Sequence, residues 1–331
     1  MSKIYDCFIY NSEINILSLR LNYLNKFVDY FLIFEFSQTF QGKLKKFNLE
    51  NSYFLLKNFK KKIIYIKIDS FFINHKDLKY QLLNKDLNIY NKLFSYNHFS
   101  HNNFSQCLET AQRLMINEYL VKTLKQNDIL IFSDVDEIPS ISILSKIIKK
   151  IKNQKKLSLC MQNEFRYFLN YFFRSNWPGS IIGLWKNFNS ETLVPKIMAK
   201  SKDIIRNSFF KVYKIAGYHF SYIGNVKEIA DKILATGHSE INIKYVIKNI
   251  DRNVYAGRDV SLYTKKNINS KIFNNYHSKF CDKKMFKLIF SKENFYPFPL
   301  KEVTCFAKIT DIVFLFLIRI KKKITHYKIF N

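Results

Sequence analysis

Cysteine is sparse and poorly placed for cross-linking. The five residues Cys7, Cys107, Cys160, Cys281 and Cys305 are odd in number, scattered, and form no C-x-x-C pair. That argues against a disulfide framework or a zinc finger and for a reducing compartment. No apolar run reaches the length of a membrane-spanning helix. The opening Met1-Ser2-Lys3-Ile4-Tyr5-Asp6 leads into a strand pattern without the apolar stretch of a signal peptide. The expectation is a protein made and kept in the cytosol. Internal repeats are absent. Acids are scarce as well: 26 Asp and Glu against 54 Lys and Arg leave a formal charge of +28. Such an excess attracts nucleic acid, anionic lipid or phosphorylated substrates. The chain is also rich in Asn, Ile, Phe and Tyr, all spelled by A/T-rich codons. A mutational bias that fills solvated faces with lysine therefore accounts for the charge equally well.

Apolar material is plentiful, 47% of residues with 17% aromatic, so global disorder is excluded. A chain of 331 residues suits one large α/β domain with an appendage, or two ordinary domains. Residues 5–10 read as a first strand, after which Asn11 or Ser12 is placed to cap a helix. Ile14, Leu17, Leu21, Leu24 and Val28 recur at helical spacing, with Asn15, Ser18, Arg20 and Asn22 around the other face. Residues 30–36 form a second apolar strand, which makes a βαβ unit and predicts a parallel sheet. Residues 38–42 close it as a loop, and residues 63–68 predict a third strand ending in Asp69. Residues 71–105 have no clean period. A helix marked by Leu108, Ala111, Met115 and Tyr119 follows.

The chain is organised around residues 128–139. Ile129 to Phe132 is a short β-branch-rich run, as expected of a strand buried on both faces. Asp134, Asp136 and Glu137 follow, and Pro139 is expected to end the strand. In extended backbone Asp134 and Asp136 project together while Val135 points to the core. Paired carboxylates beyond the carboxyl end of a buried strand sit where open α/β sheets bind ligands. Their mutual repulsion is relieved most simply by a cation; the alternative is an acidic strand-to-helix turn with Ser140 as the cap. An amphipathic helix of isoleucines and lysines comes next. Residues 157–161 predict a strand, residues 177–180 a turn, and residues 195–206 an irregular basic stretch. A helix begins near Asn225, and beyond about residue 265 the chain turns lysine-rich.

Several short segments stand out in order: Asp6-Cys7-Phe8 with Asn11-Ser12-Glu13; Arg20-Leu21-Asn22; Val28-Asp29-Tyr30-Phe31 running into Glu35, Thr39-Phe40 and Gly42; and Gln112-Arg113. Ser133-Asp134-Val135-Asp136-Glu137-Ile138-Pro139, Gly217-Tyr218-His219-Phe220-Ser221-Tyr222 with Gly224, Glu240 after His238, and Gly257-Arg258 complete the set over roughly residues 4–260. In this order the set resembles glycosyltransferase family 17. The family's best-known member adds a bisecting β-1,4-linked N-acetylglucosamine to N-glycans from a UDP-activated donor. The resemblance implies an inverting enzyme with a divalent metal, Mn²⁺ or Mg²⁺. It also implies a GT-A-like, Rossmann-type mixed and mostly parallel sheet flanked by helices. Residues 1–265 would form the catalytic domain, with a nucleotide-sugar half to about residue 140 and an acceptor half to 265. Residues 266–331 would form a basic helical extension. Unlike the animal members, this chain shows no amino-terminal anchor and no extracellular-type cysteines. Tyr218 stands where Trp is expected, and Asn225 where a second Gly is expected, so the acceptor does not carry over. A bacterial-type enzyme building lipopolysaccharide or capsule, with a glycan or lipid-linked glycan acceptor, is the natural expectation.

The resemblance assigns Asp136 to the metal and Asp134 to the donor ribose or metal-bound water, with Glu137 sharing either role or capping the next helix. His219 completes the metal shell or is a satisfied core histidine. Arg113 forks onto the diphosphate or the uracil edge, or pairs with Glu109 on its own helix. Glu35 and Asp69 are expected at the nucleotide. Tyr218, Tyr222, Trp177 and Trp185 stack on base or sugar, or belong to the core. An inverting enzyme needs a carboxylate base, and Glu240 and Asp259 are the candidates by position. Two rivals remain: a haloacid-dehalogenase-like phosphatase using the Asp-x-Asp, although that motif usually continues Gly-Thr near the amino terminus, and a basic nucleic-acid-binding protein, although no binding motif is present. At the far end, Ile312 to Ile318 is an apolar run followed by Arg319 and Lys321-Lys322-Lys323. A helix over residues 303–320 either lies on an anionic membrane surface or packs on the catalytic core.

Overall fold

The computed structural model describes residues 2–95, 101–188, 210–235, 243–255, 271–272 and 281–290. The amino-terminal part runs β1 (Ile4–Ile9), α1 (Ile14–Leu24), β2 (Tyr30–Phe36), α2 (Asn48–Ser52), β3 (Ile63–Ile68), α3 (His75–Lys85), α4 (Leu87–Ser95), α5 (Phe104–Thr123) and β4 (Ile129–Phe132). Then come β5 (Glu137–Pro139), α6 (Ile141–Lys150), β6 (Leu157–Arg166), β7 (Tyr171–Leu184), β8 (Phe210–Tyr213), β9 (Gly217–Ser221), α7 (Val226–Ala235), α8 (Ile243–Lys248), α9 (Ile250–Tyr255), β10 (Lys271–Ile272) and α10 (Lys283–Phe290).

The strands form one mixed, mostly parallel sheet of order β3-β2-β1-β4-β7-β6-β9-β5, with β10 on β7 and β8 on β6. β1 to β4 are mutually parallel; β7 enters antiparallel to β4. Alternation along each strand sends side chains to two cores. Phe8, Phe31, Ile33, Ile129 and Ile131 face one, with Leu17 and Leu21 of α1 and Leu144 and Ile147 of α6. Cys7, Leu32, Phe34, Leu130 and Phe132 face the other, with Ile116 and Leu120 of α5. Both faces are covered by helices, which is why these strands read as largely apolar runs.

Several local expectations change. α1 begins after Glu13, with no side-chain cap from Asn11 or Ser12. The Glu13 carboxylate instead turns back to accept from the Asn11 and Ser12 amides. Pro139 does not end β4, which stops at Phe132; it is the last residue of a separate short strand. It lies in β5, at the end of the strand order, where a missing amide donor costs nothing. Trp177 to Ser180 are not a turn but the middle of β7. The β6–β7 register slips between Leu159 and Met161 and again between Gln162 and Glu164, flanking the Met161–Pro178 pair, and such irregularities admit proline inside a sheet. Within the stretch that showed no clean period, α3 and α4 form because Leu78, Leu82, Ile89 and Leu93 bury against α5 in a core of their own. Ser140 does cap α6, accepting from the Ile143 amide.

The expected boundary at residue 265 is crossed twice. β10 pairs with β7, and α10 buries Met285 and Ile289 in the core beside α1. Asp282 accepts hydrogen bonds from the hydroxyls of Tyr23 and Tyr218. The rest of the expected extension, residues 303–320 included, lies outside the described residues. No helix among the described residues is long and apolar enough to cross a membrane. The cysteines among them, Cys7, Cys107, Cys160 and Cys281, are free and buried.

Candidate active site

The site begins with a residue that sequence periodicity puts on the wrong face. Arg20 shares α1 with apolar residues at helical spacing and reads as part of the polar face, yet it is fully buried. Its guanidinium forks onto Asp6 of β1, at 2.8 and 2.6 Å. It also donates to Ser133 Oγ at 2.6 Å and to the carbonyls of Asp134, Val135 and Glu137 at 2.8, 3.2 and 2.9 Å. The turn that carries the acids is therefore tied to β1 and α1 by one side chain. Within it the Glu137 amide bonds back to the Asp134 carbonyl, so residues 134–137 are a turn rather than extended chain. Val135 points into the core as expected. Asp134 accepts from Arg113, and Asp136 from Lys232.

Asp136 is buried at the carboxyl end of β4, next to β1, where the strand order reverses. Its carbonyl accepts from the Phe220 amide, which ties it to β9. Its Oδ2 accepts from Lys232 Nζ of α7 at 2.8 Å, and Oδ1 lies 3.8 Å from His219 Nε2. Lys232 also lies 3.4 Å from Glu13 Oε1 and 6.0 Å above the Tyr222 ring. Burial disfavours charge on Asp136, but Lys232 and then His219 outweigh it and hold the carboxyl below its usual range. Burial likewise works against charge on Lys232; Asp136 and Glu13 prevail, and the ammonium is held well above the ordinary lysine range.

His219 sits across from Glu137 on β5 and from Glu164 on β6. This close approach of β9 to β5 needs Gly217, with φ +155°, because a Cβ there would collide with the Ile138 carbonyl oxygen. Trp177 stacks on the imidazole at 4.3 Å and 19° and donates to Glu137 Oε1 at 2.9 Å. Burial lowers the His219 pKa, and the nearby acids Asp136, Glu164 and Glu137 do not fully offset it. Its Nδ1 is buried with no hydrogen-bond partner. Glu164 is fully buried between Arg166 and Arg174, at 2.6 and 2.5 Å. Despite burial, Arg166, His219 and Arg174 hold it below the usual carboxylate range.

The other expected residues divide. Arg113 is buried and pairs with Glu109, the expected helix partner, at 2.9 Å and also with Asp134, which was not expected, at 3.1 Å. Burial opposes its charge, yet Asp134 and Glu109 raise it above the usual guanidinium range. Glu137 takes Trp177 and the Asp134 amide rather than capping α6. Glu35 is not brought to this cluster. Its buried carboxylate accepts from Lys45, Tyr65 and the amides of Asn48 and Leu49, where it anchors α2. Asp69 is exposed at the end of β3, the first strand of the order. Tyr218 is buried against Tyr23, and Trp185 stacks on Phe188 beyond the other end of β4. Glu240, Asp259 and His238 lie outside the described residues. Glu13 and Arg20 were quoted only as parts of the family-like motifs, with no role given to either, and Lys232 and Glu164 were not singled out by sequence.

Among the described residues no group of three or more His, Cys, Asp or Glu side chains is arranged to hold a metal ion. Asp136 and His219 are nonetheless a chemically suitable pair for Mn²⁺ or Mg²⁺, ions that keep much of their shell for phosphate and water. His219 Nε2 faces Asp136 Oδ1 at 3.8 Å, so one cation between them would meet both. Lys232 stands against the same carboxylate, so the pair fits a metal once the ammonium moves.

No curated protein matches the chain. Among solved structures, mouse xyloside xylosyltransferase 1 in its apo form is 9% identical over 64% of this chain and 84% of that one, with a TM-score of 0.34. The 4-diphosphocytidyl-2C-methyl-D-erythritol synthase of Anaerococcus prevotii DSM 20548 is 11% identical over 72% and 98%, also with a TM-score of 0.34. At that distance the fold rests on the strand order itself. The model of glycosyltransferase family 17 matches residues 1–101 and 67–298, a span that contains Arg20, Asp136, His219 and Lys232. The chain belongs to glycosyltransferase family 17.

Proposed function

We propose that this transferase moves N-acetylglucosamine from UDP-N-acetylglucosamine to a glycan hydroxyl, with inversion and a β-linkage. The observation that carries the reading is the buried Asp136–His219 pair at the carboxyl ends of β1 and β4, the ligand position of open α/β sheets. Family membership favours sugar transfer over the phosphatase and nucleic-acid readings.

The departing nucleoside diphosphate needs positive charge aimed at it. When bound, Mn²⁺ (or Mg²⁺) held by Asp136 and His219 would supply that charge as a Lewis acid. Asp134, paired with Arg113, would contact the donor ribose, and Arg113 and Lys232 would turn to phosphate oxygens. Arg20 holds the turn that presents both acids. Trp177 fixes the His219 ring plane and, through Glu137, the same turn. Deprotonating the acceptor hydroxyl requires a carboxylate. Glu164 is held below the usual carboxylate range by its arginines and is a weak base, so Glu240 and Asp259 remain the proposed candidates. The acceptor class we favour is a glycan or lipid-linked glycan of bacterial surface polysaccharide or lipopolysaccharide assembly, met on the cytoplasmic face of the inner membrane. The basic residues beyond 300 would then make peripheral contact with anionic lipid.

A panel of nucleotide-sugars, scored for transfer and hydrolysis with and without Mn²⁺, tests the reaction. Calorimetry of UDP binding tests the site: Asp136→Asn should lose metal-dependent binding while its circular dichroism is unchanged. A folded Asp136→Asn protein that binds UDP and Mn²⁺ as the wild type does would overturn the assignment.

A further inference from the structure

We infer that Lys232 is a displaceable counter-ion, which neutralises Asp136 in the donor-free protein and passes to the donor's diphosphate when nucleotide and divalent cation enter together. The inference rests on the nucleotide-sugar reading above. A buried carboxylate without a partner is costly, and Lys232 is the cation bonded to Asp136, at 2.8 Å. The ammonium is not locked there by geometry. Lysine is a point charge on a flexible stem, without the planar fork that makes arginine pairs rigid. Its second acid, Glu13, stays within reach at 3.4 Å on the other side of the cluster. The neighbouring ligand atom is in place: His219 Nε2 faces Asp136 Oδ1 at 3.8 Å.

Adding a dication to this cluster places it beside a protonated lysine on the same carboxylate, and like charges so close repel strongly. A metal arriving alone must therefore break the Lys232–Asp136 pair and leave the ammonium with Glu13 only. A metal arriving with a diphosphate gives the ammonium a new anionic partner. Metal and nucleotide should thus bind with positive coupling, reciprocal by thermodynamic necessity, and Lys232 should be the source of it. A simple site, in which the metal merely bridges protein and phosphate, also couples the two ligands. It does not predict that removing a lysine makes the metal bind more tightly.

The experiment is calorimetric titration of Mn²⁺ into the metal-free full chain, with and without UDP, for wild type, Lys232→Met and Lys232→Gln. For the wild type, UDP is expected to tighten Mn²⁺ about tenfold or more. For Lys232→Met, Mn²⁺ alone should bind about tenfold tighter than to the wild type, with the UDP effect reduced to about threefold or less. Lys232→Gln keeps a hydrogen bond to Asp136 without the charge and should behave the same way; it serves where the Met variant fails to fold, judged by circular dichroism. If both folded variants bind Mn²⁺ alone no tighter than the wild type, while Asp136→Asn still abolishes binding, the counter-ion role is overturned and the site stands. If the wild type binds neither Mn²⁺ nor UDP, the underlying reading fails and the inference with it.

Discussion

Replacing Arg20 with methionine keeps much of the side-chain volume and removes a buried charge. Six hydrogen bonds disappear: two to Asp6, one to Ser133, and three to the carbonyls of Asp134, Val135 and Glu137. Deleting one member of a buried ion pair costs about 3–5 kcal/mol, because the remaining charge has no water to return to. The Asp134 and Glu137 carbonyls keep other donors, the Glu137 amide and the Ser133 and Ser180 hydroxyls, so only the Val135 carbonyl adds a further cost, roughly 1 kcal/mol or more. Against a typical domain stability of about 5–15 kcal/mol, Arg20→Met should be severely destabilised in urea unfolding followed by circular dichroism. Arg20→Lys retains the charge but not the fork, and a loss of about 2–3 kcal/mol is expected. Its folded form should bind UDP with Mn²⁺ more weakly, because the turn bearing Asp134 and Asp136 loses ties. Asp6→Asn provides the control. Combined with Arg20→Met, it should cost less than the sum of the single changes by about 2–3 kcal/mol. An Arg20→Met protein within about 1 kcal/mol of the wild type, or strict additivity with Asp6→Asn, would refute the hub.

Acid should weaken the fold in two stages. His219 is held below its ordinary pKa by burial, so the unfolded chain takes its proton first, and stability is full above about pH 6.5 and declines as pH falls below it. Glu164 is also depressed, so its contribution is present above about pH 4.5 and is lost as pH drops through its folded value. Melting temperatures between pH 7 and 3 check this: His219→Gln should flatten the upper limb and Glu164→Gln the lower one, and unchanged limbs would contradict the assignments. Of Glu240→Gln and Asp259→Asn, one should lower turnover by about 10²–10⁴ with donor affinity nearly intact; normal turnover in both moves the base elsewhere. Truncation before Lys301 should leave a folded enzyme that no longer sediments with anionic liposomes. A full-length protein that never sediments at low salt, or an unfolded truncation, would favour a tail packed on the core.

The sequence by itself settled what depends on neighbours along the chain. β2, β3 and β4 have the bounds that their largely apolar runs announce, and β4, buried at every position, is apolar throughout because it is covered on both faces. Ser140 caps its helix because the cap is a contact over three residues. The acids after β4 fall at the ligand end of the sheet because that position follows from strand direction alone. Tertiary structure decided the rest. Arg20 looks like a solvated face, since periodicity cannot register an Asp6–Ser133 partnership assembled from three elements. Trp177 and Pro178 look like a turn until the β6 irregularities make room for them. Asp136 looks like half of an Asp-x-Asp pair, yet its counter-ion is Lys232, 96 residues further on. A buried charge is stable only where folding brings an opposite charge to it, and spacing along a chain carries no information about which one that is.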